Sequence, residues 1–136
     1  DLLTIAAKQS GQNAFDMAQV QRSDIDFAMI YDSFTITVLA TLENLGFCEP
    51  GEGGNFVSQG GISLDGILPV NPDGGGLSSN HPGMRGIFLV IEAVKQLRQE
   101  CGERQVSNPE IALAHGTGGT IGDKHSGATL ILGVDK

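Results

Sequence analysis

The sequence predicts a layered α/β domain, a mixed β-sheet with helices packed on it, on three observations. Two short apolar runs, residues 26–31 and 110–115, have the length and composition of strands covered on both faces. Two longer segments, 34–45 and 87–98, repeat apolar residues at helical spacing. A third strand-like run, 127–133, follows His115 across one glycine loop, near enough to pair antiparallel with 110–115. The order is then helix, strand, helix, long loop, helix, strand, strand. Such an order makes the sheet parallel in part, with one antiparallel neighbour.

Residues 1–25 read as a connecting stretch followed by a helix, with Ala14, Met17, Ala18 and Phe15 on its inner face. The first strand ends at Asp32 and Ser33, either of which can cap the next helix. In that helix Phe34, Val38, Leu42 and Leu45 form the apolar stripe. Its β-branched run Thr35, Ile36, Thr37 and Val38 weakens intrinsic propensity, so burial must hold it together. Gly46 ends it. Residues 46–80 are glycine-rich, with extended pieces expected at 55–57 and 66–70 and apolar anchors at Phe47, Phe56, Ile62, Leu64 and Leu68. The helix at 87–98 turns Ile87, Val90, Ile91, Val94 and Leu97 inward and Glu92, Lys95 and Arg98 outward, with Gly102 as its stop.

The chain of 136 residues is long enough for one domain with one sizeable core. Its net charge of −8 argues against a nucleic-acid surface. Cys48 and Cys101 form no metal-ligand cluster, and a reduced, cytoplasmic compartment is expected. His81, His115 and His125 lack the spacing of a zinc site, so no metal is expected. No apolar run is long enough to cross a bilayer, and no secretory leader is evident. The first residue, Asp1, suggests a processed chain or a piece of a longer one.

Three polar motifs fall where elements change: Tyr31-Asp32-Ser33-Phe34, Asn80-His81-Pro82-Gly83 and His115-Gly116-Thr117-Gly118-Gly119. Two follow the carboxyl ends of predicted strands, the edge at which open α/β sheets bind ligands. The second lies between Gly74-Gly75-Gly76 and a helix start, where free N–H groups favour a polarised oxygen. Tyr31, Ser33, His81 and His115 therefore have a route to one place. Each also has an ordinary reading: a packed phenol, a helix cap, a glycine turn with an incidental histidine, and a strand-end histidine satisfying a backbone group.

Taken together, Tyr31-Asp32-Ser33-Phe34-Thr35, Leu42-Glu43-Asn44-Leu45-Gly46-Phe47-Cys48, Leu68-Pro69-Val70-Asn71, His81-Pro82-Gly83 and Gln96-Leu97-Arg98 resemble the carboxy-terminal half of the thiolase superfamily. The likeness is nearest to the sterol-carrier-protein-type thiolases and the related lipid-transfer-protein acyl-CoA enzymes, and it covers most of the chain. It implies that residues 1–136 form one thiolase-like carboxy-terminal domain of a five-layered protein, usually a homodimer through the half that is missing here. It also implies an acetyl-CoA acetyltransferase type of activity in fatty acid or sterol breakdown. Acyl-CoA would be the substrate, and no separate cofactor is implied.

The resemblance assigns roles residue by residue. The cysteine nucleophile belongs to the amino-terminal half and matches neither Cys48 nor Cys101. His81 matches the histidine of a Gly-His-Pro motif, with Asn80 in place of its glycine, and would hydrogen-bond the thioester oxygen. Ser33 stands where the sterol-carrier-protein type has an acid/base cysteine. Gly116 stands where ordinary thiolases place theirs, with His115 just before it. Asn80, Gly116 and Gly118 are the implied substrate-binding positions. Without either cysteine, the proton falls to His81 or His115, or to Tyr31 as in thiolase-like aldolases of sterol side-chain breakdown. Those aldolases pair with a small OB-fold-type protein. A non-catalytic acyl-CoA-binding or interaction domain is the third reading.

Overall fold

The computed structural model describes residues 4–80, 83–121 and 124–135. In chain order the elements are α1 (Ala6–Ala18), β1 (Phe27–Ile30), α2 (Thr35–Leu45), α3 (Gly53–Ser58), α4 (Arg85–Leu97), β2 (Ile111–Ile121) and β3 (Lys124–Gly133). Short 3₁₀ turns lie at Arg22–Asp24, Gly76–Ser78 and Gly102–Arg104. The sheet order is β1-β2-β3. β1 runs parallel to β2, with Ile30 opposite His115, and β3 returns antiparallel. Val70 adds a parallel bridge to Ala28, the remnant of the extended piece expected at 66–70.

Period-two alternation sorts the strand side chains into two cores. Ala28, Ile30 and Leu113 face α1 and α2, where they meet Ala7, Phe15, Leu42 and Leu45. Phe27, Met29, Ala112 and Ala114 face α4, where they meet Leu89 and Ala93. Every β1 residue is buried, as the unbroken apolar run requires. Each large side chain so buried contributes about 1.5–3 kcal/mol relative to exposure.

Several local expectations are corrected. α1 turns Ala7, Gly11 and Phe15 inward, while Met17 is 86% exposed. Gly11 is small because a Cβ there would lie 2.6 Å from Leu45 Cδ2. Residues 55–57 lie in α3 and are not extended. The supposed glycine loop at 116–121 is strand, because its backbone continues the ladder to β3 and only Gly119, at φ +53, breaks the register. Phe34 is exposed and is the N-cap residue of α2, with neither Asp32 nor Ser33 capping that helix. The stop of α4 is Gln99 at φ +60, ahead of Gly102.

The largest correction concerns α4. Its buried residues are Arg85, Leu89, Glu92, Ala93 and Gln96, whereas Ile87, Phe88 and Ile91 are exposed. The helix is thus rotated from the orientation its apolar stripe predicts. Two charged residues go inward because each finds a partner there, Asp73 for Arg85 and Arg104 for Glu92.

Candidate active site

The carboxyl end of β1 is closed by the loop 71–77, and side chains hold the two together. Asn71, at φ +50, imitates a neighbouring strand: its Oδ1 accepts the Ile30 N–H at 2.8 Å and its Nδ2 donates to the Ile30 carbonyl at 2.9 Å. Asp32 is 6% exposed, yet its carboxylate is satisfied. It accepts the N–H of Gly76 at 2.7 Å and of Leu77 at 3.0 Å. Asp32 thus caps the 3₁₀ turn of the distant loop instead of the adjacent helix. The glycine run is what permits this approach. A Cβ on Gly75, at φ +71, would fall 2.2 Å from Asp32 Oδ2.

The same loop is tied to α4. Asp73 Oδ1 accepts the Gly75 N–H at 2.9 Å, and its Oδ2 pairs with Arg85 Nη2 at 3.0 Å. Arg85 is the first residue of α4 and is buried. Its Nε is among the few buried side-chain polar atoms without a hydrogen-bond partner.

Tyr31 is half-buried against the α4-side core, and its N–H donates to the His115 carbonyl at 2.9 Å. Gly116 lies one register step beyond His115, and a Cβ there would be 4.0 Å from Gly86 Cα in the first turn of α4. Tyr31, Gly116 and the start of α4 therefore share one face of the sheet. Ser33 shares its hydroxyl with Thr37 Oγ1 at 3.1 Å. Gly118 is exposed and its carbonyl accepts from Ser126 Oγ. Asn80 is exposed, and its carbonyl accepts from Ser79 Oγ at 3.5 Å. His81 and Pro82 lie outside the described residues.

His115 is not brought to Tyr31. Its ring is fully buried on the α1 side, with Nδ1 2.8 Å from Thr129 Oγ1, which is itself 2.9 Å from Ser10 Oγ. Nε2 has no partner, and a Cβ on Gly127 would come 3.2 Å from the ring. Burial pushes its pKa down to about 4, so the imidazole is neutral near pH 7. One residue's difference in strand position puts the Tyr31 and His115 side chains on opposite faces, which spacing along the chain does not reveal.

Neither cysteine is primed as a nucleophile. Burial, and then nearby Glu43, Glu52 and Glu49, push the Cys48 thiol up. Burial and the Glu92 carboxylate do the same to Cys101, whose Sγ lies 3.5 Å from Glu92 Oε1. Among the described residues no group of three or more His, Cys, Asp or Glu is placed to hold a metal ion.

The fold and this edge agree with the comparisons to known proteins. The family model described as "Thiolase C-terminal domain-like" matches residues 1–134. The chain belongs to that family. It is 44% identical over 118 residues to the acetyl-CoA acetyltransferase of Methanothermobacter thermautotrophicus, covering 86% of this chain and 31% of that one. It is 36% identical over 118 residues to sterol carrier protein 2 of Bos taurus, covering 85% of this chain and 22% of the relative. A solved structure titled "Ltp2-ChsH2(DUF35) aldolase" superposes with a TM-score of 0.81 at 34% identity, over 96% of this chain and 32% of that one. The thiolase-like chain thus spans under a third of the length of these relatives. Sequence reasoning anticipated the family and the location of this edge. It missed Asn71, Asp73 and Arg85, although all three lie in the glycine-rich stretch from Asn71 to Gly86.

Proposed function

We propose that this chain is the carboxy-terminal domain of a thiolase-like enzyme that makes or breaks a carbon–carbon bond next to an acyl-CoA thioester. What supports the reading is a pinned glycine loop that leads into the His81 segment beside Tyr31, within a domain of the thiolase family. His81 holds the thioester oxygen as negative charge grows on it. The nucleophile comes from the amino-terminal half, since both thiols here are suppressed. Coenzyme A enters as part of the substrate, with no further cofactor. The apolar side of α4, with Met84, Ile87, Phe88 and Ile91 exposed, is where that half packs. The full protein is a cytoplasmic homodimer. Among the described residues no helix is long and apolar enough to cross a membrane.

The aldolase reading stays beside it on one observation. The phenol of Tyr31 sits at the strand end on the same face as Gly116, while the position of the acid/base cysteine carries Ser33. The likeness to the aldolase structure supports it, and with it a small OB-fold-type partner. The test is the full-length protein assayed with acetoacetyl-CoA plus CoA, and separately with a β-hydroxyacyl-CoA, with and without Tyr31→Phe. Thiolysis that survives Tyr31→Phe assigns the acyltransferase. Retro-aldol cleavage lost in Tyr31→Phe assigns the aldolase. Inactivity on both substrates rejects the proposal in favour of a binding or interaction domain. The chain by itself is expected to show no turnover, because nucleophile and orientation are both lost with the other half.

A further inference from the structure

Arg85 is an expensive residue where it stands. It is 7% exposed, has a single ion pair, and leaves Nε without a partner. A guanidinium taken out of water recovers that cost only when its hydrogen bonds are well satisfied. Its positive charge also sits at the amino end of a helix of 13 residues, the end that favours anions. An apolar residue would fill the site at lower cost. What Arg85 supplies instead is a fixed connection: its Nη2 to Asp73, the other Asp73 oxygen to the Gly75 N–H, and the next two amides to Asp32. Residue by residue, this line runs from the first turn of α4 to the end of β1.

The connection brackets one segment. Leu77 is the last residue gripped by Asp32, Arg85 is the first residue of α4, and His81 lies midway between them. Pinning both flanks of a short segment restricts the conformations open to what lies between, which is how a donor is held in place before substrate arrives. Asn71 completes the hold by locking the start of the loop to the Ile30 backbone.

We propose that Asp32, Asp73 and Arg85 act together as positioning residues for His81, so that the polar tether sets the rate of the chemical step and not the affinity for substrate. The inference rests on the thiolase-like reading for its kinetic part and on geometry alone for its structural part. None of the three needs to touch the substrate.

The experiment uses the full-length protein with Arg85→Met, Arg85→Lys and Asp32→Asn. Arg85→Met removes the charge and the donor while keeping length. It is expected to lower kcat about tenfold to a hundredfold, with KM within about twofold. Arg85→Lys keeps one ion pair to Asp73 and is expected to recover most of that loss. Asp32→Asn is isosteric and loses one of two backbone acceptors, so it should fold and show a smaller fall in kcat. Hydrogen exchange gives a readout independent of turnover: amides of residues 78–84 should exchange about tenfold faster in Arg85→Met and Asp32→Asn, with those of 92–97 unchanged. Unaltered exchange in 78–84 in both variants overturns the tether. A rise in KM with kcat unchanged overturns the positioning role. Wild-type inactivity on every thioester tested removes the thiolase-like reading, while the exchange result still decides the tether.

Discussion

The two ends of α4 each bury a polar network, and they differ in kind. At the carboxyl end Glu92 accepts from Arg104 Nε at 2.9 Å and Nη2 at 3.0 Å and from Gln96 Nε2 at 3.0 Å. Gln96 Oε1 accepts the Val106 N–H at 2.8 Å, and Gln105 Nε2 donates to the carbonyls of Gln96 and Val106. Burial alone would raise the Glu92 carboxyl, but Arg104, Gln96 and Cys101 outweigh it and hold it below the ordinary value. These partners all come from 92–106, and they staple the end of the helix to the turn that follows. At the amino end Arg85 is incompletely satisfied, and the network joins residues more than forty positions apart in sequence. A local, saturated network contributes stability. A long-range network that leaves one donor unpaired fixes the relative placement of distant segments, here those that carry Tyr31 and His81.

The largest expected effect sets the ceiling for that contrast. His81→Ala in the full-length protein should lower kcat on the order of 10²–10³-fold, the cost of one oxyanion donor, with little change in stability. Circular dichroism and steady-state kinetics check both. If His81→Ala costs less than Arg85→Met, then Arg85 does more than position His81, and the distinction between the two ends of the helix must be redrawn.

A buried, unpaired atom does not by itself mark a site, and His115 sharpens the point. Its Nε2 is as unpartnered as Arg85 Nε, yet it lies in the α1 layer among Ala6, Gly127 and Thr129. A proton on Nδ1, donated to Thr129 Oγ1, leaves only a lone pair unsatisfied, which is cheaper than an orphaned N–H, and we assign that tautomer. Its folded pKa of about 4 lies below the ordinary 6.5. As pH falls through 6.5 the unfolded chain binds a proton that the folded chain refuses. Stability from the neutral ring is therefore complete above pH 6.5 and lost progressively down to about pH 4, a total of about 3 kcal/mol. Urea unfolding across that range should show the slope, and His115→Gln should remove it while leaving kcat near neutral pH unchanged. A kcat loss matching that of His81→Ala would return His115 to the site.

How much of this was legible in the sequence follows from what each feature depends on. The strands around Ala28 and Leu113 were readable, because a strand covered on both faces must be continuously apolar. The stop at Gly46 was readable from local backbone chemistry, and it holds at φ +83. The rotation of α4 was not, since the apolar stripe of Ile87, Phe88 and Ile91 gave the right period and the wrong inner face. A moment along a helix says which residues avoid water, and a helix with apolar surface on two sides does not say which side meets its own sheet. The site was half legible. Tyr31, Ser33 and His81 belonged to motifs, and the turn of His115 to the other face followed from strand parity once the register with Ile30 was known. The contacts Asp32–Gly76 and Arg85–Asp73 are tertiary, and no spacing rule reports them.

The smallest expected effect tests the carboxyl end of α4. Arg104 is 45% exposed, so water already screens much of its pairing with Glu92. Arg104→Ala should cost only about 1 kcal/mol, in line with a half-exposed ion pair, since Gln96 continues to donate to Glu92. The loss should fade in acid: the Glu92 pKa is lowered by folding, so its contribution is full above the ordinary carboxylate value and disappears as pH falls through the lowered one. kcat should not move, because the variant leaves Asp32, Asp73 and Arg85 as they are. Urea unfolding at neutral and acid pH gives the first quantity and turnover of the full-length protein the second. A fall in kcat comparable to that of Arg85→Met would mean that α4 transmits strain along its whole length, and its two ends would then count as one device.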